Sequence, residues 1–295
     1  GNVDFEIQNG VLPVIKNDSY KGGNTEIILL FNRKGKNTDQ DVSNIYNKIS
    51  DLGLRNILFL NKIQTIEWEF EQDSGVYTKT EQNNYLDQPV SRRTVSYEKN
   101  TNSETITSKE IYLVFSEKIN IEGKNLQTDI AYGIEDNDGE DVIAKVENSK
   151  VSVFFETEHE TNLNFLIQAM FSTTTTRERI RLNPENSENI TLLDHIGNIA
   201  TNSLEILKKL NLYTTEVLGM MSLEADENPI PNVIYEKIKD KLVSGAELLP
   251  NKFGSFGNNQ NTLLTLHWIN KLFNEDQISA LFEKSYFVDD CHNVH

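Results

Sequence analysis

The residues Asn164–Arg181 read NFLIQAMFSTTTTRERIR, and the rest of the chain is organised around them. The apolar run in the first half of this stretch predicts a buried strand. Four threonines follow the run, and three arginines then occupy alternate positions. The residues before this stretch are typical of a sheet, and the residues after it are typical of helices. A cationic loop at this junction is notable because the whole chain carries a formal charge of −17.

The acidic composition excludes some classes of partner. The chain has 45 Asp and Glu against 28 Lys and Arg, a balance that repels phosphate backbones and anionic membrane surfaces. We therefore expect neither nucleic-acid binding nor membrane association. The single cysteine, Cys291, excludes an intramolecular disulfide and favours a cytoplasmic location. Because the chain begins at Gly1 without an initiator methionine, we expect it to be a piece of a longer protein.

Short strand patterns fill the first half of the chain. Alternation of apolar and acidic residues at Ile66–Glu71 is typical of a half-exposed strand in an antiparallel sheet. Because strand follows strand without intervening helices, the sequence predicts an α+β fold. The other predicted strands are Val3–Ile7, Val11–Ile15, Thr25–Phe31, Ile57–Leu60, Val76–Thr80, Arg92–Tyr97, Ile111–Phe115, Thr128–Ile134, Val142–Val146 and Val151–Glu156, and one short helix is predicted at Asp41–Leu52.

From about Ser187 the apolar residues recur at three- and four-residue steps, which predicts a long amphipathic helix ending near Leu210. Further helices are predicted at about residues 213–221, 231–243, 261–273 and 275–284. Asn274 with Gln277 has the spacing of a capping box at the start of the last one. We expect the residues after Lys284 to be a frayed tail.

Two groups of residues resemble metal ligands but fit a metal site poorly. In the acidic run Asp136–Asp141, the sixth position of a calcium loop needs glycine, and Asp141 stands there. The run is therefore predicted to be a hairpin turn. Cys291, His292 and His295 do not provide the four ligands of a structural zinc site, and we expect them to lie in the exposed tail. No metal site is predicted.

The three arginines have two interpretations. In the first, they form ion pairs with local glutamates such as Glu178 and Glu185 on a solvated loop, where such pairs are common and individually weak. In the second, a loop held by a rigid strand presents arginine to an anion. The planar guanidinium binds phosphate through two hydrogen bonds and stabilises charge on a phosphoryl group during transfer.

The arginine stretch resembles a segment of Hsp90-like ATPases of the sacsin type. In that group a Phe-Phe-Pro-Thr strand end and a Gly-Leu-x-Phe strand lead into a threonine-rich loop ending in Arg-Glu. The matching residues here are Phe155–Glu158, Thr161–Ala169, Phe171–Thr174 and Thr176–Glu178. The amino end is similar to the closing strands of a Bergerat-fold (GHKL) nucleotide-binding domain, through Leu12–Val14 and Asn24–Leu29.

The resemblance implies an ATP-dependent clamp whose amino-terminal domain binds ATP and Mg²⁺. Thr176-Arg177-Glu178 is similar to the Ser-Arg-Glu of Hsp90, so Arg177 matches the arginine that reaches the γ-phosphate, and Arg181 is a second candidate for catalysis. Glu156 and Asn162 stand where the family usually has proline and glycine. The Asp-x-Gly-x-Gly turn, the glycine-rich lid and the Asn-bearing helix are absent, so this chain alone is not expected to hydrolyse ATP.

Combining these observations, we divide the chain into three parts. Residues 1–35 are interpreted as the last strands of a nucleotide-binding domain, residues 36–186 as an α+β middle domain, and residues 187–295 as a helical region with a disordered tail. The expected partners are the missing amino-terminal ATPase domain of the same chain, protein clients and, for the full-length protein, a second copy. The alternative is a non-catalytic scaffold that binds another protein.

Overall fold

The computed structural model describes residues 5–8, 12–15, 38–176, 178–182, 186–221, 228–250, 255–264, 272–282 and 286–288. The chain forms two compact units, residues 1–52 and 53–295. The first unit contains an antiparallel pair, β1 (Phe5–Gln8) and β2 (Leu12–Ile15), and the helix α1 (Thr38–Ser50). These elements overlap the predicted strands and helix. The third strand predicted for this region, Thr25–Phe31, lies outside the described residues.

The second unit is built on a sheet of nine strands, which confirms the predicted α+β class. The strand order is β10-β9-β11-β7-β6-β5-β4-β3, with β8 paired to β7 beside β11. The pairing is antiparallel except between β9 and β11, which run parallel. The strands are β3 (Thr65–Phe70), β4 (Asp73–Gln82), β5 (Ser91–Asn100), β6 (Thr105–Ile121), β7 (Lys124–Asn137), β8 (Glu140–Ala144), β9 (Lys150–Val153), β10 (Phe155–Glu160) and β11 (Leu166–Ala169).

Helices cover part of both faces of this sheet. The long helix α3 packs on β6 and β7, and α5 packs on α3, while the short helix α2 packs on β4, β5 and β10. None of the helices in the described ranges is both long and apolar enough to cross a membrane. The helices are α2 (Arg55–Leu58), α3 (Ser187–Lys209), α4 (Thr215–Met221), α5 (Pro229–Val243) and α6 (Glu275–Phe282).

One continuous hydrophobic core joins the sheet to the helices that follow it. Alternate residues of β7 point toward α3, and the apolar positions predicted for the long helix are buried against them. Tyr132 is 2 % exposed, and its hydroxyl makes a 2.8 Å hydrogen bond to the Ser203 hydroxyl of α3. The sheet and the helices α3–α5 therefore form a single folded body, and the division into two units falls after Leu52.

The predicted strand at Ile57–Leu60 is wrong, because its first two residues belong to α2 and the next two to the turn that follows. All four side chains are at most 8 % exposed. A short run that is apolar on every side shows neither the period of a strand nor that of a helix. In the folded chain this run is not a strand of the sheet. It forms one helical turn that packs on the face of the sheet, against β4, β5 and β10.

Three further predictions near strand ends need correction. The strand predicted at Val151–Glu156 is interrupted at Phe154, whose backbone is left-handed with φ 66°, and its two halves pair with each other as β9 and β10. The helix predicted at 261–273 begins instead as β14 (Thr262–Leu264). That strand pairs in parallel with β15 (Tyr286–Val288), so part of the expected frayed tail is a strand. The local periodicity of the sequence indicated neither β14 nor β15, because each strand pairs with residues 24 positions away in sequence.

The predicted capping box at the start of α6 is confirmed. The Asn274 side chain accepts a 2.9 Å hydrogen bond from the backbone N–H of Gln277. In return, the Gln277 side chain accepts a 3.0 Å bond from the backbone N–H of Asn274. This reciprocal pair satisfies donors at the helix start that have no partner inside the helix. Two short strands, β12 (Leu249–Pro250) and β13 (Phe256–Gly257), complete the described elements.

Candidate functional site

The arginine loop, residues 172–181, leaves the end of β11 and returns to the start of α3. Its two arms are joined by a β-bridge between Thr173 and Ile180. Two backbone bonds flank that bridge, from Thr174 N to Arg179 O at 2.8 Å and from Arg181 N to Ser172 O at 3.2 Å. The described parts of the loop therefore form the two arms of a small hairpin with a fixed base.

Asn189, in the first turn of α3, ties both arms of the loop to the helix. Its side chain is fully buried, accepts a hydrogen bond from Ser172 N and donates to the carbonyl oxygens of Ser172 and Arg181, each at 2.8 Å. All of these bonds reach backbone atoms, so they hold the path of the chain. The sequence carried a signal for this residue, because Asn189 is a polar residue three positions before Leu192 on the apolar side of the helix.

His159 of β10 holds the second arm of the loop. Its ring atom Nδ1 accepts a 3.2 Å hydrogen bond from the backbone N–H of Ile180, whose side chain is buried. An accepting Nδ1 carries no proton. Burial lowers the pKa of His159, and the nearby positive charge of Arg179 lowers it further. The neutral ring is therefore the stable form, and the hydrogen bond to the loop is kept at neutral pH.

The structure places the predicted arginines as follows. Arg177 lies outside the described residues, so the structure says nothing of its position. Arg181 and Arg179 are exposed beside the fixed base of the loop. Glu178 is described and forms no salt bridge with either of them, and Glu185 lies outside the described residues. Two guanidinium groups are thus presented to solvent within a few residues of the loop tip.

The acidic run Asp136–Asp141 forms the turn of the β7–β8 hairpin, as predicted. Asp136 accepts a 2.8 Å hydrogen bond from the backbone N–H of Gly139, which has φ 92°. Asp141 is bound by Arg92 through two hydrogen bonds of 2.8 and 3.0 Å and by the Tyr85 hydroxyl at 2.8 Å. The Arg92 hydrogen bonds lower the pKa of Asp141. Among the described residues, no group of three or more potential metal ligands occurs.

A charge cluster lies on the sheet face that α2 covers, with Lys79, Arg93 and Asp129 buried and Glu81 exposed at its margin, and the sequence did not reveal it. Arg93 forms a 2.9 Å salt bridge with Glu81 and donates a 3.2 Å hydrogen bond to the Leu58 carbonyl. The Lys79 ammonium donates to the Leu60 carbonyl. Two cations thus bind carbonyl groups at and just after the end of α2, where the peptide dipoles are negative.

Asp129, the remaining member of this cluster, is fully buried. One carboxylate oxygen accepts from the Ser116 hydroxyl and from the Gln127 amide, the latter at 2.8 Å. No described residue donates to its other oxygen. Burial raises the pKa of Asp129, which is the expected result when an ion loses water on one side. Burial therefore disfavours the charged forms of Lys79 and Asp129, so the free energy of unfolding depends on pH through these two residues.

The lowered pKa of Lys79 predicts how the free energy of unfolding changes in alkaline solution. Burial, together with the charge of Arg93, lowers its pKa from 10.5 to about 8 in the folded chain. Between these values the unfolded chain binds a proton that the folded chain lacks, so stability rises with pH. Urea unfolding from pH 8 to about 9.5 should show a rise of up to about 1.4 kcal/mol per pH unit. Lys79→Met should remove the rise, and a fall in that window in the unmodified protein would contradict the assignment.

No protein-family model, no curated protein and no solved structure matches this chain.

Proposed function

We propose that this chain is the middle region of an Hsp90-like ATP-dependent clamp, in which it couples the nucleotide state to closure of the clamp. The observation that supports the proposal is the arginine loop, whose base is fixed to the sheet by a β-bridge and to α3 by three side-chain hydrogen bonds of Asn189. A loop with a fixed base and exposed guanidinium groups suits an anion that arrives from another domain.

In this proposal, Arg177 completes an ATPase site whose main part is on the preceding polypeptide. ATP supplies the γ-phosphoryl group, and Mg²⁺ neutralises part of its charge. A guanidinium that reaches this group only on closure stabilises the transition state more than the bound substrate. Donors held in place before the reaction need no reorganisation during it, so a fixed loop base contributes directly to the rate. Arg181, on the fixed arm, would provide a second positive charge.

The same contacts provide a route for coupling. Asn189 belongs to α3, which packs on the sheet on one side and on α5 on the other. A force on the loop from a bound phosphate would therefore act on the helical part of the chain through buried hydrogen bonds. We propose that the three helices α3–α5 respond to closure as one body, because they share one hydrophobic core.

The proposal is tested by ATP binding and by the preceding sequence. Isothermal titration calorimetry of this chain with Mg–ATP should give no binding, whereas a longer chain with the preceding domain should bind ATP. Micromolar binding by this chain alone would contradict the proposed division of the site. The preceding sequence should contain an Asn-bearing helix and an Asp-x-Gly-x-Gly turn. Their absence would favour the non-catalytic scaffold.

A further inference from the structure

The nine-stranded sheet is split at one end. Pairing between β6 and β7 stops at Ile111 and Ile134. Beyond that pair, and within the part of the chain that the structure describes, residues 105–110 of β6 pair only with β5, and residues 135–137 of β7 pair only with β8. Two strand edges therefore diverge from a common point. An unpaired strand edge presents backbone N–H and C=O groups that another extended chain can bind.

A cleft of about 290 Å³ lies at this split. Its walls include both diverging strands and the start of α2. Its floor contains Gly133, where an added Cβ would lie 3.0 Å from the Ala144 carbonyl oxygen and 3.1 Å from a methyl carbon of Val146. A side chain at position 133 would therefore press against Ala144 and Val146, which also line the cleft. The polar and charged residues that line the cleft are Arg55, Lys109, Glu110, Tyr112, Glu135 and Lys145.

The cleft already holds one carboxylate of the chain between two donors. The Tyr112 hydroxyl donates to Glu110, and Nε of Arg55 lies 3.8 Å from the same carboxylate. Arg55 is oriented by a 2.9 Å hydrogen bond from its Nη1 to the carbonyl of Glu147. Burial raises the pKa of Tyr112, with the charge of Glu110 next in effect, so the phenol remains a donor across the neutral range.

Lys109 lies on the open edge of β6, and its side chain is on the opposite sheet face from Glu110 and Tyr112, because successive strand residues alternate in direction. It lines the cleft and is exposed, and no described carboxylate forms a salt bridge with it. Lys145, also on the cleft wall, pairs with Glu147 at 3.2 Å in a solvent-exposed bridge. In a chain with a formal charge of −17, a lysine without such a pair beside an open strand edge is an attractive position for an acidic group.

We propose that this split binds an extended, acidic peptide segment of another protein, which adds to the open edge of β6 as a further strand and places a carboxylate beside Lys109. The strand edge selects a peptide because its alternating donors and acceptors match a peptide backbone. The exposed ammonium of Lys109 beside that edge favours an acidic side chain at the neighbouring position of the peptide. A second copy of this chain, with its formal charge of −17, would be repelled far more strongly than a short peptide with a few carboxylates. The proposal does not depend on ATP hydrolysis.

The probe is a fluorescein-labelled peptide of sequence Val-Thr-Glu-Val-Thr-Glu-Val, and its control has glutamine in place of both glutamates. Fluorescence anisotropy with the whole chain should show saturable binding of the acidic peptide, and the glutamine peptide should bind several-fold more weakly. Lys109→Glu should weaken acidic-peptide binding about tenfold, which corresponds to about 1.4 kcal/mol. Lys118→Glu is the matched control, because Lys118 is exposed on the same strand but faces Gln127 in the paired part of the sheet.

Hydrogen exchange identifies the binding mode. At saturating peptide, amides within residues 105–110 should gain protection while those of the β3–β4 hairpin stay unchanged. Binding without that protection, equal binding of the two peptides, equal weakening by the two lysine variants, or no binding at millimolar peptide would each overturn the proposal. Dimer formation by the chain itself, with the same protection and without peptide, would assign the edge to self-association and would also overturn it.

Discussion

Arg177→Ala in the full-length protein is expected to lower ATP turnover about 100- to 1,000-fold, as the loss of one preorganised donor to a charged transition state does elsewhere. The affinity for ATP should change little, because in the proposed clamp this arginine reaches the γ-phosphate only after closure. Steady-state hydrolysis gives the turnover, and calorimetric titration with Mg–ATP gives the affinity. Arg177→Lys should restore little of the turnover, because an ammonium group cannot make the planar, bidentate contact that a guanidinium group makes.

Arg179→Ala is the matched control for that experiment. Its backbone holds the loop hairpin, with Arg179 O accepting from Thr174 N at 2.8 Å, whereas its exposed side chain forms no salt bridge among the described residues. Turnover should change less than about twofold, on the ordinary scale for an exposed surface position. The turnover of Arg181→Ala should lie between those of Arg177→Ala and Arg179→Ala. Unchanged turnover in Arg177→Ala, or equal losses at 177 and 179, would contradict the catalytic role proposed for Arg177.

Asn189→Ala is expected to destabilise the fold by about 2 to 4 kcal/mol. The substitution removes three side-chain hydrogen bonds from a fully buried position and leaves the N–H of Ser172 and two carbonyl groups to find other partners. Urea unfolding measures the loss as a lower midpoint. Because the same bonds fix the base of the arginine loop, hydrogen exchange at residues 172–181 should speed up more than at the β6–β7 pairs.

Asn202→Ala tests whether that effect belongs to the site or to asparagine in α3 generally. Asn202 lies on the same helix but on its exposed side. Its replacement should change the free energy of unfolding by less than about 0.5 kcal/mol, as is usual for exposed helix positions. If Asn189→Ala cost no more than Asn202→Ala, the buried hydrogen bonds would not be what holds the loop.

The fold was predictable where one local pattern sufficed. The three- and four-residue spacing from Leu192 to Leu207 indicated α3, and Asn274 with Gln277 indicated the start of α6. The fold was not predictable where contacts with residues distant in sequence determine the local structure. Ile57 and Leu58 belong to a helix whose apolar side chains are buried against the sheet face. β14 is a strand because it pairs with β15.

The candidate site divides in the same manner. The arginines are visible in the sequence because they interrupt an acidic chain. His159 carries no such signal, and Asn189 shows only as a polar residue on the apolar side of α3. The role of each depends on atoms 8 to 21 residues away that only the folded chain brings near. The buried charges of Lys79 and Arg93 were concealed for a related reason. Each occupies an inward position of a strand, where a pattern of alternation predicts an apolar residue.

The position of β11 in the sheet determines the order in which the chain can assemble. β3 to β7 are each paired with their neighbour in sequence, so these hairpins can form while the chain is still being synthesised. β11 comes later and enters between β7 and β9, both of which precede it. Until it arrives, the edge of β7 at Thr128–Ala131 has no partner. The arginine loop follows directly after β11, so the amides of its hairpin should gain protection during refolding no earlier than the β7–β11 pairs do.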